Sequence, residues 1–339
     1  MLFILLMKIG IIGLGVGERH IVGYQKVPGC FIKSVCDIDE KKLKEVADRN
    51  GISERYCDYR KITDDPEIDV VSICSYDDVH TEQAVSALEN GKHVMIEKPV
   101  AVNDEQADLL VAAHRSSSSL LTSNLILRCC PRFRFIKEEI QSGNIGKLFY
   151  MEGDYIHAVP QKITEGWRGK ISFYSPILGG GVHMIDLIRW YADEEVESVC
   201  AMGSNKETRH TGYPFDDTNV LLLKFPSGLL AKVLVSLTPK HPKFHALKVF
   251  GNRATFENRL ENGIIFKSDE FTSKEIVNSP YPGMEKGDLL PNFISAVRNA
   301  SNLMVSPLDV FNVMDVCLAA QKSRRTNQFV DVKYRYAKG

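Results

Sequence analysis

Three short stretches of the chain combine residue types that can hold an anion and move a proton. The first is KIGIIGLGVGERH, residues 8–20, in which glycines follow an apolar run. The second is HVMIEKP, residues 93–99, which ends in an acid, a base and a proline. The third is GGGVHMIDLIRW, residues 179–190, where a histidine and an aspartate stand among apolar residues. Charged and polar groups are rarely buried without partners, so the second and third stretches need an explanation.

The glycine-rich stretch lies where a first strand would turn into a first helix. Glycine permits the tight turn and the close approach of a pyrophosphate, and the N–H groups at the helix start attract its negative charge. The spacing is G-x-G-x-G, which departs from G-x-G-x-x-G because position 18 is Glu. An ordinary strand-to-helix turn is the alternative interpretation. The residues predicted to bind a dinucleotide here are Gly13, Leu14, Gly15, Val16 and Gly17.

The next predicted strand ends in Asp37, twenty residues after Gly17. A carboxylate at that strand tip can accept hydrogen bonds from the adenosine ribose and would repel a 2′-phosphate. No arginine follows Asp37 directly in the sequence, so NAD is predicted as the cofactor rather than NADP. Alternatively, Asp37 or Asp39 caps the following helix, and Asp39 fits the cap position better.

The elements around these stretches fall into two patterns. From Lys8 to about residue 125, short apolar strands alternate with amphipathic helices, which is typical of a parallel sheet covered on both faces. After about residue 145, longer strands joined by hairpin signals predict a mostly antiparallel open sheet, followed by helices at 291–299 and 307–323. The predicted fold class is α/β: an N-terminal Rossmann doubly wound sheet plus a C-terminal α+β domain. The predicted domains are 7–125, which binds the dinucleotide, and 126–339, which binds substrate and self-associates.

Composition narrows the function classes. The chain has 339 residues, with 42 Lys and Arg against 43 Asp and Glu, and its basic residues are scattered, so nucleic acid and a membrane surface are not expected partners. The opening MLFILLM lacks a basic start and a cleavage site and is too short to span a bilayer. We therefore predict a cytoplasmic protein, with residues 1–6 as an extension or a misplaced start. Eight cysteines without a CxxC pair predict reduced core residues and no metal site.

The order of the motifs resembles one family. With the glycine loop, Asp37, His80 and then Glu97-Lys98-Pro99, the chain resembles the glucose–fructose oxidoreductase / inositol dehydrogenase / MocA (Gfo/Idh/MocA) family. The resemblance extends over nearly the whole chain from Met7, and EKP together with the later H-x-x-D is its most specific part. Further matching segments are RCCP at 128–131, SGNIGKL at 142–148, GWRG at 166–169, GGGVHMIDLIRW at 179–190 and KSRRTNQFVDV at 322–332.

The resemblance implies roles for these residues. Lys98 would lie beside the nicotinamide and the substrate hydroxyl, Glu97 would hold the cofactor ribose or orient Lys98, and the bond before Pro99 is often cis. Ser75 and His80 would complete the cofactor site. From the pattern alone, a surface ion pair that ends a strand is the favoured interpretation of Glu97 and Lys98, and only the resemblance reverses it.

Oxidation of a secondary alcohol needs a group that takes the hydroxyl proton as hydride leaves carbon. A lysine has an ordinary pKa of about 10.4, so burial and a neighbouring positive charge must lower the pKa of Lys98 for this task. The family places a substrate-facing histidine at His183, although a structural histidine is the alternative. Lys98 and His183 are therefore the predicted catalytic residues.

Four side chains are predicted to hold the substrate. Tyr155, His157 and Trp167 offer faces for a sugar ring, and Arg168 can grip a carboxylate or phosphate with two hydrogen bonds. The alternative is a packed tryptophan and a solvated arginine. Two weaker candidates are Asn124 and Arg128, just past the last strand of the first half.

One position departs from the family pattern. Inositol dehydrogenase-like members carry an aspartate four residues before the histidine, whereas this chain has Gly179. The predicted function is hydride transfer between a nicotinamide cofactor and a hydroxyl or keto carbon of a sugar, sugar acid, sugar nucleotide or cyclitol. An NAD-assisted glycoside hydrolase and a non-catalytic cofactor-binding regulator remain alternatives. The expected partners are a carbohydrate-type small molecule and further copies of the chain, joined through the C-terminal sheet.

Overall fold

The computed structural model describes residues 6–171, 173–270 and 272–336. The chain forms two compact units: the first runs up to Ile126 and also contains Glu285–Phe311 and the end from Arg335, and the second contains Leu127–Met284 and Asn312–Tyr334. The predicted division places residues 285–311 in the second domain, whereas the structure groups them with the first unit. The proposed extension at residues 1–6 lies outside the described residues except for Leu6.

The first unit contains a six-stranded parallel sheet in the order β3-β2-β1-β4-β5-β6. Its central strands are apolar and buried on both faces because helices cover them, which is the pattern that predicted a Rossmann sheet. The strand order reverses between β1 and β4, the place where open sheets of this type bind ligands. The strands are β1 Met7–Ile12, β2 Cys30–Cys36, β3 Glu54–Tyr56, β4 Val70–Ile73, β5 His93–Ile96 and β6 Leu121–Ser123.

The second unit contains a nine-stranded sheet in the order β14-β13-β12-β11-β7-β10-β9-β8-β15. Its described pairs are antiparallel except for β7 and β10, which run parallel. Burial alternates along the strands, so one face belongs to the core. The predicted fold class is confirmed. The strands are β7 Leu148–Ile156, β8 Ser198–Ser204, β9 Thr218–Lys224, β10 Leu230–Ser236, β11 Phe244–Gly251, β12 Thr255–Asn258, β13 Gly263–Phe266, β14 Lys274–Val277 and β15 Val330–Asp331.

The helices supply the remaining layers. In chain order they are α1 Gly17–Gln25, α2 Glu40–Arg49, α3 Arg60–Thr63, α4 His80–Glu89, α5 Asp104–Ser116, α6 Pro131–Gln141, α7 Pro160–Thr164, α8 Val182–Ala192, α9 Leu290–Asn299 and α10 Pro307–Thr326. The helices predicted at 291–299 and 307–323 correspond to α9 and α10. Helix α8 is buried almost all round, in line with its apolar sequence. Among the helices of the described ranges, none has both the length and the apolar character needed to cross a membrane.

Candidate active site

The glycine loop follows β1, and each of its glycines has a different reason to be there. Gly13 has φ +85°, and a Cβ on it would stand 2.5 Å from the carbonyl carbon of Cys74. A Cβ on Gly17 would stand 2.9 Å from Cγ2 of Ile11, so this glycine permits close packing of α1 on the strand. At Gly15, none of the described atoms lies within 4 Å of the Cβ position. Gly13 and Gly17 thus shape the loop, and Gly15 leaves its backbone open to a ligand.

Helix α1 begins directly after this loop. Its first residue is Gly17, its N-cap is Val16, and within the described residues no side chain caps its first turn. The N–H groups of that turn can therefore bind an anion. The loop is fastened to the end of β2 because the N–H of Leu14 donates to Oδ2 of Asp37 at 2.7 Å.

Asp37 and Asp39 have separate tasks. The side chain of Asp39 caps α2 by accepting from the N–H of Lys42, which confirms that Asp39 fits the cap better. The other carboxylate, that of Asp37, accepts from the N–H groups of Leu14 and Asp39 and lies 3.4 Å from Nζ of Lys42. The open glycine backbone, the uncapped helix start and this strand-end carboxylate together fit a dinucleotide.

Ser75 and His80 lie in the same region and contact protein groups. The Ser75 hydroxyl donates to Oε1 of Gln83 at 2.7 Å. His80 is buried, with Nδ1 2.7 Å from the carbonyl oxygen of Pro99 and Nε2 3.2 Å from that of Ser75. The His80 ring thereby joins the loop after β4 to the loop after β5. A cofactor contact by Ser75 or His80 stays a prediction.

Glu97 is buried at the end of β5 in a polar group that we call the Glu97 network: Glu97, His20, Asn124 and Ser72. Nδ2 of Asn124 donates to Oε1 of Glu97 at 2.8 Å, and Nε2 of His20 lies 3.4 Å from the same oxygen. On its other side, Nδ1 of His20 lies 2.8 Å from the Ser72 hydroxyl. Asn124, named from the sequence as a weak substrate candidate, is a partner of Glu97.

Charges in the Glu97 network support one another. Burial alone would raise the pKa of Glu97, but the hydrogen bond and charge of His20, together with the charges of Lys286 and Lys98, hold it well below its usual range. Burial alone would lower the pKa of His20, but the Cys74 sulfur and the Glu97 carboxylate beside the ring raise it to about 10. The network therefore favours the charged forms of both residues, a Glu97 carboxylate and a His20 imidazolium, at the end of β5.

Lys98 follows Glu97 directly and is half-buried. Its peptide bond to Pro99 is cis, as the resemblance implies. The sequence did not single out His20 or Lys286. His20 lies three residues after the last loop glycine, a position that could have flagged it, whereas Lys286 is close to Glu97 only because residues 285–311 return to the first unit.

In the second unit, α8 is preceded by a π-helical turn at Ile177–Gly181. Such turns are rare and are often found at functional sites. His183 is buried in the first turn of α8, and its ring is stacked with that of Tyr155 at a centroid distance of 6.0 Å. Asp186, one turn further, accepts two hydrogen bonds from the Arg128 guanidinium, at 2.9 and 2.6 Å, and both residues are buried. Arg128, named from the sequence as a weaker substrate candidate, is thus a partner of Asp186, and a substrate contact by Arg128 stays a prediction.

Tyr155 is at the centre of a group that we call the aromatic cluster: Tyr155, His157, His183, His245 and Tyr281. The Tyr155 hydroxyl lies 3.4 Å from Nδ1 of His157, and the ring centroids of Tyr155 and His245 are 5.3 Å apart. The Tyr281 hydroxyl accepts from the N–H of His245 and lies 2.9 Å from its Nδ1. The sequence missed His245 and Tyr281, which lie far along the chain from Tyr155.

Burial sets the protonation of the aromatic cluster. It lowers the pKa of His245 to about 3, and the charges of Lys243 and His157 add to this effect. Burial also raises the pKa of Tyr155 to about 12, although the nearby charge of Arg168 opposes it. The rings of His245 and Tyr155 are thus held neutral near pH 7.

Trp167 and Arg168 are both half-buried. The guanidinium of Arg168 lies 4.3 Å from the Trp167 ring centroid and 5.6 Å from that of Tyr174. Arg168 is therefore stacked on aromatic rings, and its charge acts on Tyr155. The second unit brings Tyr155, His157, His183 and Arg168 into one region, while the first unit gathers the glycine loop, Asp37, Glu97 and Lys98.

Comparison with known proteins identifies the family and the fold of the chain. Two family models match: the Gfo/Idh/MocA oxidoreductase family with an NAD-binding Rossmann fold over residues 7–125, and the GFO/IDH/MocA C-terminal domain over residues 133–257. Myo-inositol 2-dehydrogenase of Thermotoga maritima is 27% identical over 272 residues, which is 78% of this chain and 79% of the relative. The 1,5-anhydro-D-fructose reductase of Ensifer adhaerens is 24% identical over 92% of this chain and 86% of the relative.

A solved structure of levoglucosan dehydrogenase in complex with NADH and L-sorbose superposes with a TM-score of 0.87 at 22% identity, covering 97% of this chain and 99% of the other. This likeness concerns the fold. The family itself is assigned by the two family models, because together they cover most of both halves of the chain. The chain belongs to the Gfo/Idh/MocA family of NAD-binding oxidoreductases and is an enzyme of the dehydrogenase and reductase class.

Proposed function

We propose that the protein transfers a hydride between NAD and a hydroxyl or keto carbon of a sugar, sugar acid, sugar nucleotide or cyclitol. Its relatives are named for myo-inositol and 1,5-anhydro-D-fructose, which are polyhydroxylated rings. The observation that carries the proposal is the position of Lys98: it directly follows Glu97, whose carboxylate is fixed by His20 and Asn124. A lysine on such a rigid support can be aimed at one reacting oxygen.

The bound nicotinamide supplies the hydride acceptor for alcohol oxidation and the hydride donor for ketone reduction. Lys98 takes the proton of the substrate hydroxyl in oxidation and returns it in reduction. His183 shares this acid–base work, so the proposal requires both side chains to reach the same carbon centre in the substrate complex. Tyr155, His157, Trp167 and Arg168 hold the sugar ring and its substituents.

NAD is the proposed cofactor. The glycine loop and the start of α1 would hold the pyrophosphate, and Asp37 would accept from the adenosine ribose. The Asp37 carboxylate disfavours a 2′-phosphate at this position. Nζ of Lys42 lies 3.4 Å from that carboxylate and offsets part of its charge, which makes Asp37 the residue to test.

We also propose that copies of the chain associate through the outward face of the second sheet. This face exposes large apolar side chains on the adjacent strands β8, β9 and β10: Met202, Val220, Leu222 and Leu230. Both signs of charge accompany them, because Lys232 lies 2.7 Å from Asp154 on the same sheet. A face with both signs can pair with a second copy of itself. Light scattering should report an oligomer, and Leu222→Lys should shift it toward the monomer. A wild-type monomer would overturn this proposal.

The test of the reaction uses the purified chain, NAD or NADP, and a panel of polyols, sugar acids, sugar nucleotides and their ketones. We expect one class to change the absorbance of the reduced nicotinamide. Lys98→Ala should lower kcat by about 10²–10⁴-fold while the protein still binds NAD. Asp331→Ala, an exposed change on β15, is the control and should leave kcat unchanged.

Two outcomes would point elsewhere. Release of free sugar without net NADH would indicate an NAD-assisted glycoside hydrolase. Cofactor binding without turnover of any panel member, together with a Lys98→Ala variant that keeps its biological effect, would indicate a regulator. Either result would overturn the proposed dehydrogenase.

A further inference from the structure

The glycines that precede His183 make room for two tyrosines. A Cβ on Gly180 would stand 2.6 Å from Cδ1 of Tyr155, the ring that is stacked with His183. A Cβ on Gly179 would stand 2.5 Å from the hydroxyl oxygen of Tyr174 and 3.1 Å from the ring carbon that carries it. The atom that fills the space of a side chain at position 179 is thus a hydroxyl oxygen.

The position of that hydroxyl relative to His183 follows from helix geometry. Residue 179 lies in the π-helical turn that continues directly into α8, and residue 183 lies four positions later in the first turn of α8, so the two are about one helical turn apart on the same side of the segment. The Tyr174 hydroxyl therefore stands on the face of the segment that carries His183, one turn earlier. A side chain longer than glycine at 179 would occupy the same place.

Two further observations separate Tyr174 from an ordinary core tyrosine. It is buried, yet its ring faces the Arg168 guanidinium at 5.6 Å, a charged group that ordinary core packing would exclude. It also belongs to the region that contains Tyr155 and His183. Its ring thus lies close to a guanidinium, and its hydroxyl is the part that reaches residue 179.

We propose that Tyr174 is an additional catalytic residue, whose hydroxyl contacts the substrate hydroxyl beside His183 in place of an acidic side chain at position 179. This inference rests on the proposed dehydrogenase function. A phenol both donates and accepts a hydrogen bond and stays neutral near pH 7, whereas a carboxylate only accepts and is charged. The chain would therefore orient its substrate here without a negative charge.

The first experiment compares two tyrosine hydroxyls of the second unit. Tyr174→Phe should lower kcat about 10–100-fold on the substrate found by the panel, with the Kd for NAD unchanged. The matched control is Tyr191→Phe, which removes a buried hydroxyl from α8 that donates to the carbonyl of Phe133. We expect this control to lower the melting temperature and leave kcat unchanged. Equal kcat values for wild type and Tyr174→Phe would overturn the proposal.

The second experiment moves the polar group from one residue to the other. Gly179→Asp alone should lose activity, because its Cβ would collide with the Tyr174 hydroxyl. Tyr174→Ala combined with Gly179→Asp should recover at least tenfold in kcat over Tyr174→Ala. It should also gain an acid limb in the pH profile of kcat, where the new carboxylate is protonated. A purely structural role for Tyr174 would give neither the recovery nor the new limb.

Failure of this proposal can be told from failure of the proposed function. If wild type turns over and Lys98→Ala abolishes turnover while Tyr174→Phe keeps full kcat, only the role of Tyr174 is wrong. If wild type turns over no panel member, the role of Tyr174 is overturned together with the dehydrogenase.

Discussion

The Glu97 network and the aromatic cluster are built in opposite ways. In the Glu97 network, a buried carboxylate is held by an amide at 2.8 Å and by an imidazole at 3.4 Å. In the aromatic cluster, Tyr155 meets its neighbours mainly through ring contacts at centroid distances of 5.3–6.0 Å: it is stacked with His183, edge-on to His157 and tilted to His245. One region fixes positions by charge and directed hydrogen bonds, and the other by ring packing.

The difference matches the ligands that we propose for each region. The cofactor would be the same whatever the substrate, so a network in which each group fixes the next is suited to it. Ring packing tolerates changes of orientation and size, so the aromatic cluster can be adapted to different ring substrates without rebuilding the unit. We expect substitutions in the Glu97 network to affect stability most, and substitutions in the aromatic cluster to affect substrate choice.

The strongest test of this contrast in stability is to remove the charge at the centre of the Glu97 network. Glu97→Ala leaves His20 buried beside an empty space, and loss of one partner of a buried ion pair costs about 3–5 kcal/mol. Tyr155→Phe removes only a hydroxyl 3.4 Å from His157, so it should change stability by less than about 1 kcal/mol. Chemical denaturation measures both values. Equal losses for the two variants would contradict the contrast.

The second test concerns the glycine loop. Gly13→Ala should lower the free energy of unfolding by about 2–4 kcal/mol, because φ is +85° and the new Cβ would meet the backbone of Cys74. Gly15→Ala is the control: it should fold like wild type and weaken NAD binding, since its Cβ points into open space among the described atoms. Denaturation curves and NAD titration separate the two effects. A Gly15→Ala variant with normal NAD affinity would contradict the assigned role.

Cofactor choice gives a third, smaller effect. Asp37→Ser should raise the preference for NADP over NAD by about 10–100-fold in kcat/KM, because it removes the charge that opposes a 2′-phosphate while Lys42 stays. The matched control is Asp39→Ser on the same turn. Because serine also caps helices, this change should alter stability little and leave the cofactor preference unchanged. Measurement of kcat/KM with NAD and with NADP for both variants gives the cofactor preference. An unchanged preference in Asp37→Ser would be the contrary result.

The last test concerns pH, because the two buried histidines should change the free energy of unfolding on opposite sides of neutrality. The pKa of His245 is lowered from 6.5 to about 3, so the unfolded state binds the proton first and stability falls as pH drops from 6.5 toward 3. The pKa of His20 is raised to about 10, so its stabilisation is complete below pH 6.5 and is lost as pH rises through 10.

Denaturation across pH checks this assignment with two variants. His245→Gln should flatten the stability curve between pH 6.5 and 3, and His20→Gln should flatten it between pH 6.5 and 10. Each variant controls for the other. The same flattening in both variants would show that neither histidine acts as assigned.

Local patterns predicted much of this molecule. Apolar runs between helices identified the parallel sheet, and the loop glycines and Asp37 stood out because each lies at a strand end. Glu97 and Lys98 also follow a strand, but their roles were predicted only through the family resemblance. His20 was missed because a lone histidine in a short helix looks like any half-buried residue. His245, Tyr281 and Tyr174 were missed because they meet Tyr155 or Gly179 only through the folded sheet and helix. Nothing in the composition marks the return of residues 285–311 to the first unit.

That return has a consequence for how the protein is made. Asn124 donates to the carbonyl of Lys286, and Gly23 of α1 packs against Leu290 of α9, so the first unit needs residues that a ribosome adds more than 150 positions after β6. A nascent chain that has just completed β6 therefore still exposes the side of α1 that carries Gly23, because α9 has not yet been synthesised. Truncated or circularly permuted versions that end at residue 126 should therefore bind chaperones through this exposed surface, unless the segment 285–311 is supplied as a separate peptide.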